Sequence, residues 1–468
     1  MSSYSKLAKS SFIFAIGNIG SKFIYLFLVP IYTFYLSSEE YGRADLISTT
    51  LSLLIPVFSL SVFDAVLRFS MEKKEEDQLI LTNGILVCIV GFLLAVIFYP
   101  LFLYALPFDG YMVYFYILLF LQLINSTLLQ FLRAIGKLKA FAVNGILCAL
   151  IVLIANLIFI IGFHMGIIGF LISLIMSNVV SLCYLSLVIK VHRYFKIKLF
   201  SKKISKEMLI YSIPLIPNAV MWWVMSASDR YIVTYFLGLS ANGLYAVATK
   251  IPSILNIINS VFLQAWQLSA IEETDSKNKA DFYNNVFKIL SISMIISTSI
   301  ILLFLKFAMN LLVSEDYYLS WKYVPFLLVG IVFSSFSSFL GASYIATKNT
   351  NGIFKTSIIG GAINLVLNLV LVPLIGINGA GTATMLSFFT MWIIRYRETK
   401  KVVGLSIEYK KYIILFFVLF IQILTLYINI QYQWLLNFMC LLIIIVISKK
   451  EILSIFSQLS KVRKKIKF

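Results

Sequence analysis

The sequence predicts an all-α integral membrane protein with about fourteen transmembrane helices. Of its 468 residues, 60% are hydrophobic and only 13% are charged, whereas an ordinary soluble domain carries roughly 25% charged residues. The mean hydropathy is +0.95, and apolar runs of membrane-spanning length recur along the chain. This composition excludes a soluble enzyme, a disordered protein and a soluble repeat scaffold, because their surfaces would have to be apolar as well.

Each predicted span is an apolar run bounded by polar residues or by Gly, Pro and Asn. A hydrocarbon core of about 30 Å needs ~20 helical residues per crossing. By this criterion the predicted spans are 12–36, 44–69, 79–105, 111–132, 140–163, 166–189, 207–237, 243–267, 283–313, 323–346, 353–375, 379–397, 411–430 and 433–448.

The basic residues predict the orientation of the spans. The net charge is +19, but Lys and Arg lie in short clusters between apolar runs and not in one domain, so nucleic acid is not an expected partner. One set of alternate loops holds almost all of these clusters, which include 190–206, 395–411 and the C-terminal tail. The positive-inside rule therefore predicts that both termini are cytoplasmic.

Few features of the sequence suggest chemistry. The predicted outer loops are short, which disfavours a membrane glycosyltransferase or polymerase. No Walker loop is present, and the four cysteines lack zinc-site spacing. We therefore expect a transporter and not an enzyme, with no metal site and no cofactor.

The two halves of the sequence show weak self-similarity. YLSSEEYGRADL aligns without a gap on FLGLSANGLYAV and places Gly42 on Gly243. ANLIFIIGFHMGIIG aligns on LNLVLVPLIGINGAG and places Asn156 on Asn368, and then Gly166 on Gly376. We therefore predict two pseudo-symmetric six-helix lobes around a central cavity, related by an axis along the membrane normal.

The repeat also predicts the domain boundaries. Residues 1–190 form the N-terminal lobe, 191–206 the cytoplasmic linker and 207–400 the C-terminal lobe. Residues 401–468 add two helices and a basic cytoplasmic tail. Transporters built from such repeats bind substrate between the lobes and expose it by rocking one lobe against the other.

Four cations lie inside predicted spans: Lys22, Arg230, Lys250 and Lys306. Each would cost ~2.5–3.5 kcal/mol at the bilayer centre unless it faces water or a partner. Asp229 is the only clear acidic residue that we expect at comparable depth. It points about 100° away from Arg230 around the helix, so it is expected to pair with Lys250 instead. The remaining surplus of positive charge favours an anionic passenger.

Each of these cations also has a simpler interpretation as a snorkelling side chain or a structural pair, and for Lys306 this interpretation is preferred. Arg68, at the cytoplasmic end of the second span, is suited to a phosphate at the inner mouth. Its position four residues after Asp64 equally fits a structural ion pair.

Several motifs resemble those of the Wzx-type polysaccharide repeat-unit flippases of the multidrug, oligosaccharidyl-lipid and polysaccharide exporter superfamily. The most specific is SASDRYIVTYFLGLSANGLYAVATKIPSI, which contains Asp229, Arg230 and Lys250. FYLSSEEYG, followed by FDAVLRF with Arg68, and GINGAGTAT are further similarities. The resemblance extends over essentially the whole chain.

The resemblance implies that the protein flips undecaprenyl-pyrophosphate-linked oligosaccharide units across the bacterial cytoplasmic membrane for capsule, exopolysaccharide or O-antigen assembly. The expected substrate-binding residues are Lys22, Arg68, Asp229, Arg230 and Lys250. Lys22 is included for its predicted depth only. Expected partners are the lipid-linked oligosaccharide, membrane lipids, a polysaccharide polymerase and a chain-length regulator.

Three alternative functions remain. A lipid II flippase would share the cationic cavity. A drug or cation antiporter of the same superfamily would need carboxylates at depth, of which Asp229 is the clearest. A membrane glycosyltransferase or polymerase is less compatible with the short outer loops.

Overall fold

The computed structural model describes residues 20, 24, 27–72, 75–108, 110–272, 279–346, 350–428 and 431–453. Within these ranges the chain is helical and contains no β-strand, so the predicted fold class is confirmed. In the described part of the chain, ten helices are long and apolar enough to cross a membrane, or twelve if each of two bent helix pairs counts as one span. The predicted first span lies largely outside the described residues, and the last is a 15-residue apolar helix. The count of fourteen therefore stays a prediction.

Residue contacts divide the chain into two compact units, residues 1–246 and 247–468. The first unit begins with residues 27–35, which are helical. Its labelled helices are α1 (Ser38–Phe58), α2 (Val62–Glu72), α3 (Asp77–Ile97), α4 (Tyr99–Ala105), α5 (Met112–Ala134), α6 (Leu138–Asn156), α7 (Gly166–Ile189), α8 (Lys202–Ser212), α9 (Ile216–Leu237) and α10 (Leu239–Ala248), whose last residues pass the boundary. The second unit contains α11 (Lys250–Glu272), α12 (Lys279–Leu312), α13 (Val324–Ala346), α14 (Thr350–Ile375), α15 (Ile377–Val403), α16 (Tyr409–Tyr427) and α17 (Gln433–Ile447).

Local sequence explains how α1 begins and ends. Ser37 and Glu40 form a capping box, in which the Ser37 hydroxyl accepts from the Glu40 N–H and the Glu40 carboxylate accepts from the Ser37 N–H at 3.0 Å. Both interactions satisfy N–H groups that a helix start leaves without partners. The helix ends before Leu60 and Ser61, which both have a φ of +51°. The next helix, α2, is tilted by 54° from α1, so the predicted span 44–69 is two helices.

The first unit is built around α5, which packs against α2, α3 and α7, while α9 packs against α1. In the second unit α13 packs against α11, α12 and α15. Its neighbourhood is rich in aromatic contacts: Trp266 stacks on Phe339 at 4.2 Å between ring centroids and donates its indole N–H to the Phe339 carbonyl. The predicted lobe boundaries rest on the sequence repeat and stay a prediction.

The second pair of aligned segments has the same local structure in each unit. Gly166 and Gly376 both have positive φ, +54° and +65°, where glycine is favoured. Three residues later, Gly169 and Gly379 each pack against the carbonyl of the preceding helix. A Cβ atom would lie 3.1 Å from the Phe159 carbonyl oxygen at the first glycine and 2.4 Å from that of Leu371 at the second. Phe159 and Leu371 are themselves equivalent in the alignment. The shared turn accounts for the glycines that the two segments have in common.

Candidate functional site

A buried cluster of charged and phenolic side chains joins α9 and α10 to α1. The Arg230 guanidinium donates from Nε to Asp45 Oδ2 at 2.7 Å, and its Nη1 lies 3.6 Å from Asp229 Oδ1. Its carbon Cζ lies 5.9 Å from the centre of the Tyr245 ring, and the Tyr245 hydroxyl donates to Asp229 Oδ2. Only 15% of the Arg230 side chain and 11% of the Asp45 side chain are exposed. Two carboxylates therefore share one guanidinium in a largely dry environment.

Two sequence-based expectations about this cluster are wrong. Arg230 is not an unpaired cation, because Asp45 neutralises it. Arg230 also reaches Asp229, because its side chain turns back along the helix and Nη1 donates to the Ser226 carbonyl at 3.2 Å. Long side chains on a helix generally point toward its N-terminus in this way. Arg230 therefore does not add to the surplus of buried positive charge from which an anionic passenger was expected.

Asp45 was not among the charged residues expected at depth, because the predicted second span begins at residue 44, directly before it. The capping box at Ser37 and Glu40 starts α1 at Ser38, so Asp45 lies about two turns, or ~10 Å, inside the helix. The S-x-x-E pattern was the available signal. Tyr245 was noted only as a motif residue, and sequence alone gave no reason to place its hydroxyl on Asp229.

Next to the charged cluster, α1 and α10 approach each other through two glycines. A Cβ atom on Gly42 would lie 2.0 Å from the Leu239 carbonyl oxygen, and one on Gly243 would lie 1.9 Å from the Ser38 carbonyl oxygen. The Asn242 side chain donates to the Gly42 carbonyl at 2.8 Å. Only glycine permits this backbone separation at either position.

This glycine contact is reciprocal under the repeat alignment. The alignment that places Gly42 on Gly243 also places Ser38 on Leu239, so the contact of Gly42 with Leu239 is the counterpart of the contact of Gly243 with Ser38. Reciprocal contacts of this kind are characteristic of surfaces related by a two-fold axis. The two aligned segments therefore meet at these glycines.

Two further contacts continue the interface between α1 and α9. The Trp223 indole N–H donates to the Thr49 carbonyl at 3.0 Å, and the hydroxyls of Thr50 and Tyr231 are hydrogen-bonded. Trp223 and Tyr231 also pack edge to face, with ring centroids 5.7 Å apart. Trp223 therefore anchors this helix pair.

The structure does not bring all the predicted site residues together. Lys22 lies outside the described residues. Arg68 is exposed and pairs with Glu72 at 2.6 Å, so the expected pairing with Asp64 is wrong, since the alternative carboxylate one turn later takes the guanidinium. Lys250 is the first residue of α11 and belongs to the second unit, so its pairing with Asp229 stays a prediction.

A second buried cation lies in α15. The sequence analysis assigned Arg395 to a cytoplasmic basic stretch, but only 1% of this residue is exposed. Its guanidinium donates to Thr356 Oγ1 at 3.0 Å, to the Ser337 carbonyl at 2.9 Å and to Ser357 Oγ at 3.2 Å. The three acceptors lie on α13 and α14, so Arg395 has a structural role: it holds these two helices against α15. Among the described residues, no group of three His, Cys, Asp or Glu side chains is arranged to hold a metal ion.

A family described as "polysaccharide biosynthesis protein" matches residues 7–267, more than half of the chain. The chain belongs to this family. A curated relative, an uncharacterized membrane protein of Methanocaldococcus jannaschii, is 28% identical over an alignment of 250 residues that covers 49% of this chain and 48% of the relative. The matched region thus spans about half the length of that relative.

Solved structures show which fold this member of the polysaccharide biosynthesis family adopts. The chain is similar to the lipid II flippase MurJ in its inward closed conformation, with a TM-score of 0.75, 16% identity and coverage of 96% of this chain and 99% of that one. It is also similar to an inward-facing multidrug resistance transporter of the MATE family, with a TM-score of 0.69, 15% identity and coverage of 82% and 94%. The fold is therefore the one that MurJ and this MATE transporter share, and the protein is a multi-pass membrane protein.

Proposed function

We propose that this protein flips undecaprenyl-pyrophosphate-linked oligosaccharides across the bacterial cytoplasmic membrane for the assembly of a capsule, exopolysaccharide or O-antigen. Membership of the polysaccharide biosynthesis family carries this proposal, and the superfamily fold agrees with it. Lys22, Arg68 and Lys250, with Asp229 and Arg230, are the proposed passenger-binding residues. A polymerase and a chain-length regulator are proposed partners, and both termini are proposed to be cytoplasmic.

The cluster around Arg230 supports a closing contact in the outer half of the membrane. Asp45 and Gly42 belong to the predicted N-terminal lobe, whereas Arg230 and Gly243 belong to the predicted C-terminal lobe. Rocking of these lobes would have to separate α1 from α9 and α10, and so break the Asp45–Arg230 ion pair. Arg230 is then paired with Asp45 when the outer side is closed, and becomes available to a pyrophosphate when it opens.

A transport assay tests the proposed function directly. We expect purified protein in proteoliposomes to move a fluorescent polyprenyl-pyrophosphate oligosaccharide from one leaflet to the other faster than protein-free vesicles do. Lys22→Ala and Lys250→Ala should each lower the rate about tenfold or more, the factor that corresponds to one charge-assisted hydrogen bond to phosphate. Lys139→Ala, which removes an exposed lysine, should leave it unchanged. Wild-type transport no faster than the vesicle background would reject the proposal.

One observation favours a second candidate, a cation-coupled drug antiporter. Asp45 adds a second buried carboxylate to Asp229, and such exchange requires carboxylates at depth. In the same vesicles, efflux of a cationic dye driven by a proton or sodium gradient, together with the absence of oligosaccharide flipping, would establish this alternative.

Crosslinking tests whether the glycine contact must open during transport. In a background without the four native cysteines, Ser38→Cys and Leu239→Cys place thiols on the two segments that meet at Gly42 and Gly243. We expect a short, cleavable bifunctional thiol reagent to stop flipping, and cleavage of the reagent to restore it. Each single cysteine variant treated in the same way serves as the control. Normal flux through a verified crosslink would reject separation of α1 from α10.

A further inference from the structure

The second unit contains a cavity of about 500 Å³ that the proposed transport does not use. It lies where the end of α12 meets the start of α15, the end of α16 and the turn Leu319–Tyr323. These segments adjoin the predicted outer loops SEDYYLSWK, GING and NIQYQ, which places the cavity at the outer end of the helices. Its lining includes Lys306, Lys322, Trp321, Tyr427 and Asn378.

The cavity brings two lysines together without a carboxylate. Lys306 Nζ donates to Gln433 Oε1 at 2.9 Å and lies 4.4 Å from the centre of the Trp321 ring. Within the described ranges, neither Lys306 nor Lys322 has a carboxylate oxygen within 4.0 Å of its ammonium group. A Gln oxygen and an aromatic face orient Lys306 but do not neutralise it. Two like charges lining one cavity favour an anion as its occupant.

Asn378 specifies a second property of the occupant. Its Oδ1 atom is buried and has no hydrogen-bond partner among the described residues. A buried acceptor without a donor is costly, so a turn of the Asn378 side chain that brings this oxygen to a ligand hydroxyl would be favoured here. The lining thus provides cations for a phosphate and an acceptor for a hydroxyl.

The surroundings of the cavity indicate that the ligand is a lipid. Close to Lys306 along α12, the side chains of Phe307 and Leu311 are 70% and 69% exposed, as expected for residues that face acyl chains. Trp321 and Tyr427 line the cavity, and the neighbouring Tyr432 and Trp434 are exposed. Trp and Tyr concentrate at the level of the lipid headgroups. A phosphate bound by the two lysines would lie at that level while its lipid chains stayed in the bilayer.

We propose that this cavity is a binding site for a phosphate-bearing lipid headgroup that also carries hydroxyl groups. Phosphatidylglycerol has this chemistry, and so does the glycosylated pyrophosphate of a polyprenyl-linked passenger. The lysines bind the phosphate and Asn378 accepts from a hydroxyl. Occupation by a bilayer phospholipid does not depend on the proposed function, whereas occupation by the passenger rests on it.

Native mass spectrometry of the full-length protein tests the site. The protein in detergent is mixed with phosphatidylglycerol, phosphatidylethanolamine or a polyprenyl-pyrophosphate oligosaccharide. We expect the wild type to retain one phosphatidylglycerol molecule in preference to phosphatidylethanolamine. The double variant Lys306→Gln/Lys322→Gln should bind it about a hundredfold more weakly, which is about tenfold for each charged hydrogen bond lost. Lys410→Gln/Lys449→Gln, which removes two exposed lysines of the same unit, is the matched control.

The other arms identify the source of the headgroup. Stronger retention of the polyprenyl compound than of phosphatidylglycerol would assign the site to the passenger, and the reverse would assign it to the bilayer. Asn378→Leu should weaken the binding of phosphatidylglycerol more than the binding of phosphatidic acid, because the phosphatidic acid headgroup has no glycerol hydroxyls. The proposal would be overturned if the wild type and the lysine double variant bound phosphatidylglycerol equally well and also bound the polyprenyl compound equally well. Both proteins would have to be monodisperse and helical by circular dichroism. Equal retention of phosphatidylethanolamine and phosphatidylglycerol by the wild type would also overturn it.

Discussion

Gly42→Ala and Gly243→Ala are expected to destabilise the protein strongly, although each adds only one methyl group. The added Cβ would lie 2.0 Å or 1.9 Å from a carbonyl oxygen of the facing backbone, where ordinary contact begins at 3.4 Å. A backbone carbonyl cannot rotate away as a side chain can, so α1 and α10 would have to separate by about 1 Å or more. Separation would also lengthen the bond from Asn242 to the Gly42 carbonyl. We expect each substitution to cost about 1–3 kcal/mol, as overpacking typically does.

Thermal unfolding of the purified variants measures this effect. The control is Gly162→Ala, because its Cβ would meet nothing closer than 3.7 Å and its φ is not positive. Alanine at such a position is neutral or stabilising, since it restricts the unfolded chain. Both substitutions force the same two helices apart, so the double variant should lose less free energy of unfolding than the sum of the single variants. A Gly42→Ala melting temperature equal to that of Gly162→Ala would contradict the close approach.

The positions of the helices could be predicted from sequence because the bilayer imposes a length and an apolar composition on each span. The predicted span 166–189 has the same bounds as α7, and the predicted span 283–313 starts four residues after α12 and ends one residue after it. The turn at Gly166 and its counterpart at Gly376 was also readable, because the sequence repeat marked both glycines. These features depend on local composition, which the sequence displays directly.

The break between α1 and α2 could not be predicted in the same way. Leu60 and Ser61 adopt positive φ, although neither is a glycine and neither adjoins a proline. Non-glycine residues seldom adopt this conformation, so local propensity favours a continuous helix at this point. At the break, the Ser61 N–H donates to Ser59 Oγ at 3.2 Å, and Gly91 packs against the Phe58 carbonyl. Hydropathy carries no information about either contact.

The charged cluster shows a related limit. The sequence identified Arg230 and Asp229 as residues at depth, but their partners lie on other helices. The Asp45–Arg230 contact joins residues 185 positions apart, and a single sequence gives no register between two such helices. Without Asp45, Arg230 counts as an unpaired buried cation; with Asp45, it is a neutralised one. Lys306 and Lys322, which line the second-unit cavity, have no carboxylate within 4.0 Å among the described residues.

Removing Arg230 from the buried cluster is expected to be more costly than removing its partner Asp45, and more costly than removing both. Arg230→Gln leaves the carboxylates of Asp45 and Asp229 together without a cation, and Asp45→Asn leaves Arg230 with Asp229 alone. Removing the partner of a buried charge typically costs about 3–5 kcal/mol, because an uncompensated charge remains in a region of low dielectric constant. This cost applies to Arg230→Gln, whereas Asp45→Asn leaves one cation with one carboxylate and should cost less. The double variant Asp45→Asn/Arg230→Gln leaves only the Asp229 carboxylate without a cation, so it should be less destabilised than Arg230→Gln and less than the sum of the single variants.

A double-mutant cycle in thermal or denaturant unfolding measures this coupling. Glu39→Gln is the matched control, because it breaks an ion pair on the same helix whose carboxylate side chain is 59% exposed. An exposed pair of this kind contributes only about 0.2–1 kcal/mol. If the buried pair holds α1 against α9 when the outer side is closed, both single variants should also label faster at a cysteine introduced at Thr50, and Glu39→Gln should not. Additive effects on stability, with unchanged labelling, would mean that Asp45 and Arg230 act independently and that their contact does not close the outer side.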